Sequence, residues 1–263
     1  MTASWQTVEI DGRQCDYLLA EPAGAPRAVI LSLHGTRSEA RDQVRLTRLD
    51  GTAVEAGAVA VFPQAVTPIG RGYEWDREAD LPFLSRLVDE LLARYPSAGG
   101  RVVLTGMSGG ARMSCHFASL RPELVSLVGA IAGLRAPSRT TLSTPVPVYA
   151  FHGTSDRINP YQGNGTARWD ESVPDAAMQW TIANGAGREP VISQVGPHVT
   201  RSSYGADGAP NEVVLWTVRG GGHTWPGSPL GLLLRLFLGK TTTEIDATAL
   251  ILAAPHLGSG RTA

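Results

Sequence analysis

Runs of consecutive apolar residues alternate along the chain with segments whose apolar positions recur every three or four residues. The continuous runs are typical of strands that are buried on both faces of a parallel sheet. They are AVILSL (28–33), AVAVFP (58–63), RVVLTG (101–106), VSLVGAIAG (125–133), VPVYAFHG (146–153) and EVVLWTV (212–218). Because strands that alternate with helices make right-handed crossovers, the pattern predicts an α/β fold with a mostly parallel sheet and helices on both faces.

The segments between and after these strands carry the predicted helices. The helical stretches are 39–56 with Ser38 as N-cap, 79–94, 110–120, Ser172 to about Asn184, and 245–254. Ser172 and Asp175 have the spacing of a capping box. No linker divides the chain and no internal repeat is visible, so residues 1–263 are predicted to form one domain.

Three segments depart from this alternation. WQTVEI (5–10) and RQCDYLLA (13–20) flank Asp11-Gly12, which is a strong signal for a β-hairpin. The Gly- and Pro-rich region 184–211 is expected to contain one or two irregular strands. The stretch PLGLLLRLFLG (229–239) leaves three interpretations open: a helix over the entrance of a site, a contact between two copies, or a core helix.

Composition and charge narrow the function classes. The chain is 43% hydrophobic and 18% charged, as in an ordinary globular protein, and its 23 basic and 24 acidic residues nearly cancel. This balance excludes a strong general attraction to nucleic acid or to an anionic membrane. The longest apolar run has about half the length of a membrane span. The start, MTASWQTVEIDG, shows no secretory signal, so a cytoplasmic location is expected if Met1 is the natural start.

The sequence shows no motif for a metal or a cofactor. Two cysteines, Cys15 and Cys115, are too few for a Cys-rich metal site, and whether they form a disulfide stays open. There is no other metal-ligand set, no P-loop and no dinucleotide fingerprint. We therefore expect chemistry that uses side chains alone.

A candidate nucleophile lies between a strand and a helix. Gly106-Met107-Ser108-Gly109-Gly110 matches the G-x-S-x-G pattern and directly follows the strand RVVLT. A sharp strand-to-helix turn of small residues lifts a serine hydroxyl above the sheet, which is the nucleophile elbow of α/β-hydrolases. The alternative is a Gly-rich turn in which Ser108 only caps the helix.

A serine nucleophile needs a base and an acid that orients the base. Asp156 follows the strand VPVYAFHG, and His223 follows the strand EVVLWTV in a Gly-rich loop. Both are therefore predicted at the same sheet edge as Ser108, in the chain order of an α/β-hydrolase triad. Asp170 and Asp175 are less suitable acids because they belong to a helix entry, and His152 is expected to brace the loop of Asp156.

Other loops at this edge complete the predicted site. His34-Gly35-Thr36 follows the strand AVILSL, so the backbone N–H groups of Thr36 and Gly109 are the expected oxyanion hole. Tyr73, Trp75 and Trp225 are candidate walls for the substrate, although aromatic residues in such loops also serve as packing.

Together these motifs resemble the polyhydroxybutyrate depolymerase and feruloyl/acetylxylan esterase family of α/β-hydrolases. The resemblance rests on LHGT (33–36), GRVVLTGMSGGARM (100–113), RPEL (121–124), FHGTSDRINPY (151–161), GGGHTWPG (220–227) and TTTEIDAT (241–248). Many relatives have Cys where this chain has Thr36, and Asn or Ala where it has Gly109. The oxyanion donors are backbone groups, so these departures leave the catalytic core intact.

The resemblance implies a serine esterase that uses Ser108, Asp156 and His223. Its expected substrates are short-chain esters, aromatic-acid (feruloyl-type) esters or hydroxyalkanoate oligomers, cleaved through an acyl-enzyme without a cofactor. Two alternatives stay open, a serine peptidase on the same fold and a binding protein without activity. The partners expected are small or oligomeric esters, with no nucleic acid and no membrane span, and the oligomeric state stays open.

Overall fold

A ten-stranded sheet runs through the computed structural model, which describes residues 3–10, 12–166 and 169–257. The strands are β1 (Ser4–Ile10), β2 (Arg13–Ala20), β3 (Ala28–Leu33), β4 (Ala58–Pro63), β5 (Thr67–Ile69), β6 (Gly72–Glu74), β7 (Val102–Met107), β8 (Val125–Ile131), β9 (Val148–Gly153), β10 (Val191–Gly196), β11 (Val199–Tyr204) and β12 (Val213–Val218). Strands β5 and β6 form a separate small hairpin.

The order across the large sheet is β1-β2-β4-β3-β7-β8-β9-β12-β11-β10. The six strands from β4 to β12 are parallel to one another, and an antiparallel pair closes each edge. Strands β3, β4, β7, β8 and β9 are buried along their whole length, as their continuous apolar runs predict. The predicted mostly parallel sheet is confirmed, and so is the hairpin of β1 and β2, although Asp11 lies outside the described residues. The strands expected in 184–211 are β10 and β11, which pair with each other in antiparallel fashion.

Helices cover both faces of the sheet. They are α1 (Ala40–Thr47), α2 (Leu49–Glu55), α3 (Asp80–Arg94), α4 (Gly109–Leu120), α5 (Val173–Ala183), α6 (Gly231–Leu238) and α7 (Ala247–Leu252). Neighbouring residues of β3 point to opposite sides: Leu31 packs in the cluster of α3, α4 and α5, and Ile30 in the cluster of α1, α2 and α7. None of the described helices is long and apolar enough to cross a bilayer.

The single helix predicted over 39–56 is wrong, because the structure breaks it at Arg48. Arg48 has φ 56° and ψ 20°, in the left-handed region, and separates α1 from α2. The hydroxyl of Thr47 donates to the Gln43 carbonyl and accepts from the N–H of Leu49. These side-chain bonds compete with the helical backbone pattern at the break.

Two smaller expectations at helix starts have different outcomes. Ser38 is not the N-cap of α1: Glu39 takes that position, and the Ser38 hydroxyl donates to Asp42. Ser172 does cap α5, since its hydroxyl accepts from the N–H of Asp175 at 3.2 Å. Both cysteines are buried and free, so no disulfide joins them.

Gly110 in α4 and Gly51 in α2 provide a matched pair for testing how closely the backbone of α4 packs on the sheet. A Cβ at Gly110 would overlap the Leu33 carbonyl, whereas a Cβ at Gly51, within α2, would meet nothing within 4 Å. We expect Gly110→Ala to lower the free energy of unfolding by about 3 kcal/mol through overpacking. Gly51→Ala should raise it by about 0.5–1 kcal/mol. Urea unfolding of both variants measures the difference, and equal stabilities would contradict the packing.

Candidate active site

Ser108 occupies a strained turn between β7 and α4. Its φ of 56° and ψ of −112° are unusual for a residue with a side chain. Glycine at 106 and 110 permits this turn, because a Cβ at Gly106 would lie 2.6 Å from the backbone of Gly110. The N–H of Ser108 donates to the Ile131 carbonyl at 2.9 Å and joins the turn to β8. The spacing of the sequence motif thus reflects the close approach of a strand and a helix.

Asp156 and His223 are brought together by the parallel pairing of β9 with β12. Each residue lies in the loop after its strand, and the N–H of Ser155 donates to the Gly221 carbonyl at 2.9 Å. His223 Nδ1 lies 2.7 Å from Asp156 Oδ2, and both side chains are almost fully buried. The pair leaves Nε2 of His223 as the ring nitrogen that can exchange a proton.

The Asp156 carboxylate is surrounded by donors. Oδ1 accepts from the N–H groups of Ile158 and Asn159, both at 2.8 Å. His152 Nε2 lies 3.3 Å from Oδ2 and 2.9 Å from the Asn159 carbonyl, so it braces the loop as expected. Burial acts to raise the pKa of Asp156, but the hydrogen bonds from His152 and His223 and the charge of His223 outweigh it and hold the pKa well below its usual range.

The loop after β3, which contains Thr36 as a predicted oxyanion donor, is held in place by the ring of His34. Its Nδ1 lies 2.9 Å from the Gly35 carbonyl, and its Nε2 accepts from the N–H of Ala65. Burial lowers the pKa of His34 to about 4, so the ring is neutral near pH 7 and donates through Nδ1. A Cβ at Gly109 would lie 3.0 Å from Thr36 N, which shows how closely the two proposed donor residues approach each other.

A cavity of about 770 Å³ opens beside Ser108, and His223 and Thr36 also line it. Part of the lining is polar or charged and includes Arg37, Ser38, Asp42, Gln43, Arg45 and Glu74. The rest includes the apolar residues Leu46, Ile69, Met107, Ile158, Leu230 and Leu238. Of these apolar residues, Leu230 and Leu238 belong to the stretch 229–239, for which a helix over the entrance was one of the three interpretations; sequence reasoning missed the other four.

None of the three aromatic residues predicted to contact substrate lines this cavity. The prediction for Trp225 is wrong, since the ring is buried in the core and Nε1 donates to Thr248 at 3.0 Å. Trp75 donates from Nε1 to the His34 carbonyl at 2.8 Å and so supports the loop that contains Thr36. Tyr73 pairs through its backbone with Arg37 and Ser38. The last two therefore shape the site from behind.

The backbone strain at Ser108 predicts a difference between two variants. Ser108→Gly removes the Cβ that makes the positive φ costly, whereas Ser108→Ala keeps it. We expect the glycine variant to be more stable than the alanine variant by about 1 kcal/mol, the reverse of the usual order within ordered structure. Paired urea unfolding curves measure this, and a more stable alanine variant would show that the turn is unstrained.

The low pKa of Asp156 predicts how stability depends on pH. Its ionised form is favoured by folding, so its contribution is complete above the usual aspartate pKa of about 4 and is lost as the pH falls below it. We expect wild type to exceed Asp156→Asn by about 2 kcal/mol at pH 7, with the gap closing towards pH 2. The exposed Asp170→Asn is the control and should show no such gap. A difference in stability between wild type and Asp156→Asn that stays constant with pH would contradict the low pKa of Asp156.

Comparisons with known proteins agree with this architecture. No protein-family model matches the chain. A protein of Nocardia uniformis subsp. tsuyamanensis named "Putative esterase NocK" is 27% identical over 257 residues, which cover 86% of this chain and 75% of the relative. The bifunctional acetylxylan esterase/xylanase XynS20E of Neocallimastix patriciarum is 27% identical over 136 residues, or 51% of this chain and 20% of that enzyme.

Solved structures share the fold at low sequence identity. The acetyl xylan esterase from Aspergillus awamori superposes with a TM-score of 0.64 at 14% identity, covering 84% of this chain and 94% of that one. Esterase PE8 superposes with a TM-score of 0.53 at 20% identity, covering 86% and 93%. The chain is thus similar in sequence to proteins named as esterases, and it shares the α/β-hydrolase fold of solved esterases.

Proposed function

We propose that the chain is a serine carboxylic ester hydrolase in which Ser108 is the nucleophile, His223 the base and Asp156 the acid that orients it. The observation that carries this proposal is the 2.7 Å contact between His223 Nδ1 and Asp156 Oδ2, with Ser108 at a strained turn on the same cavity. A serine hydroxyl is a weak nucleophile, and this arrangement supplies the base that activates it.

The reaction proceeds in two halves. Ser108 Oγ attacks the ester carbonyl while Nε2 of His223 takes its proton, and the N–H groups of Thr36 and Gly109 stabilise the oxyanion. Collapse of the tetrahedral intermediate gives the acyl-enzyme, and His223 returns the proton to the leaving alkoxide. Water then cleaves the acyl-enzyme by the same steps. Asp156 stays ionised throughout because its pKa is held low, and so it supports the imidazolium.

The cavity supports esters of moderate size. About 770 Å³ lies within the range of sites for drug-sized ligands, and a lining that contains both polar and apolar side chains suits an apolar acyl group joined to a hydroxylated alcohol. One relative is named as an acetylxylan esterase. This name favours, for the present chain, substrates that carry short acyl groups on sugars. Feruloyl-type esters and hydroxyalkanoate oligomers belong to the same proposal.

A hydrolysis panel on purified protein tests the function. The panel contains p-nitrophenyl acetate, butyrate and octanoate, methyl ferulate, acetylated xylan and a hydroxybutyrate trimer. Ser108→Ala and His223→Ala should each lower kcat by at least about 10⁴-fold, and the double variant should be little worse, because the residues act as a unit. Multiplying effects would contradict the triad.

Two controls sharpen this test. His198→Ala removes a histidine that pairs with Glu244 away from the cavity, and it should leave kcat within about twofold of wild type. A phosphonate that labels activated serines should react with wild type and not with His223→Ala. Labelling without ester turnover would favour the peptidase alternative, and the absence of both would favour a binding protein.

A further inference from the structure

Helix α6 (Gly231–Leu238) carries large apolar side chains into solvent. Leu233 is 73% exposed, Leu236 91% and Phe237 82%. Their spacing of three and four residues puts them on one face of the helix. The interpretation of 229–239 as a core helix is therefore wrong. A contiguous exposed apolar face of this kind marks an interaction site rather than ordinary surface.

Both ends of α6 reach the catalytic cavity. Leu230 and Leu238 line the cavity, as does Ile158, which is itself 46% exposed. The N–H of His223 donates to the Leu238 carbonyl at 2.6 Å, and the N–H of Gly222 donates to the Lys240 carbonyl at 2.9 Å. The exposed apolar face is thus continuous with the mouth of the cavity.

The residues that precede and begin helix α6 are fixed to the body of the protein. The hydroxyl of Ser228 donates to the Leu46 carbonyl at 2.9 Å, and the N–H of Gly227 donates to the Thr242 carbonyl at 3.0 Å. A Cβ at Gly231 would lie 2.7 Å from the Thr241 side chain, so the start of the helix packs closely on this residue. Helix α6 is therefore held in place at its start, and it exposes apolar side chains at the entrance of the cavity.

We propose that the exposed face of α6, formed by Leu233, Leu236 and Phe237, docks onto a water-insoluble ester phase. This inference rests on the proposed function and names the physical state of the substrate. A second copy or another protein on this face would border the cavity mouth and narrow the path of the substrate. An ester phase on the same face places ester groups at that mouth, so the geometry favours this occupant.

Adsorption tests the docking surface without any turnover. The inactive Ser108→Ala protein is mixed with emulsified tributyrin, and the protein left in the aqueous phase is measured after the droplets are removed. Adding Leu236→Gln and Phe237→Gln should weaken adsorption by at least about tenfold, because two apolar side chains lose their burial in the ester phase. Undiminished adsorption would overturn the proposal.

A matched control distinguishes this face from apolar exposure in general. Val191 and Ile192 on β10, 67% and 66% exposed, lie outside the lining of the cavity. Val191→Gln with Ile192→Gln makes the same chemical change there and should leave adsorption within about twofold. An equal loss in both double variants would overturn the assignment to α6.

Rates on active protein separate this inference from the esterase proposal. The ratio of tributyrin hydrolysis above its solubility limit to p-nitrophenyl acetate hydrolysis should fall about tenfold in the α6 double variant only. An unchanged ratio overturns the docking surface and leaves the esterase intact, whereas no hydrolysis by wild type overturns the esterase. Sedimentation showing a dimer that the α6 variant abolishes would identify the face as a contact between copies and overturn the proposal.

Discussion

Direct contact of backbone on backbone at the carboxyl edge of the sheet is the constraint on which the rest of the site depends. Gly106 and Gly110 let the start of α4 lie against the ends of β7 and β3, and Gly153 lets the Asp156 loop lie against Gly221. Side chains at these positions would separate the elements that carry the reactive groups. The glycines thus set the distances between loops, and the hydrogen bonds of Asp156 and His223 then orient the side chains.

Much of this architecture could be predicted from the sequence because a buried segment must consist of apolar residues, and such runs are visible in the sequence. Strands covered on both faces must be apolar throughout, so 28–33 and 58–63 could be placed without ambiguity. The turn at Ser108 requires small neighbours, and the order of Ser108, Asp156 and His223 follows from the order of the strands. These features are local, or they follow from topology alone.

The features that the sequence did not predict depend on partners far away in the chain. The local sequence around an aromatic residue in a Gly-rich loop is the same whether the ring faces a cavity or the core. For Trp225, the hydrogen bond to the distant Thr248 holds the ring in the core. The break at Arg48 likewise has no local signal, since arginine is a good helix former. The lining of the cavity combines polar and apolar residues from several segments far apart in the chain, and no single window of sequence contains that combination.

One hydroxyl joins three of these distant segments. Thr248 Oγ1 accepts from the Trp225 indole and donates to the Thr47 carbonyl, both at 3.0 Å. It therefore ties the segment that follows His223 to the kink between α1 and α2, through a helix near the end of the described chain. During synthesis, this link cannot form until α7 has left the ribosome. The segment that follows His223 thus receives this support only after the chain has been made as far as α7.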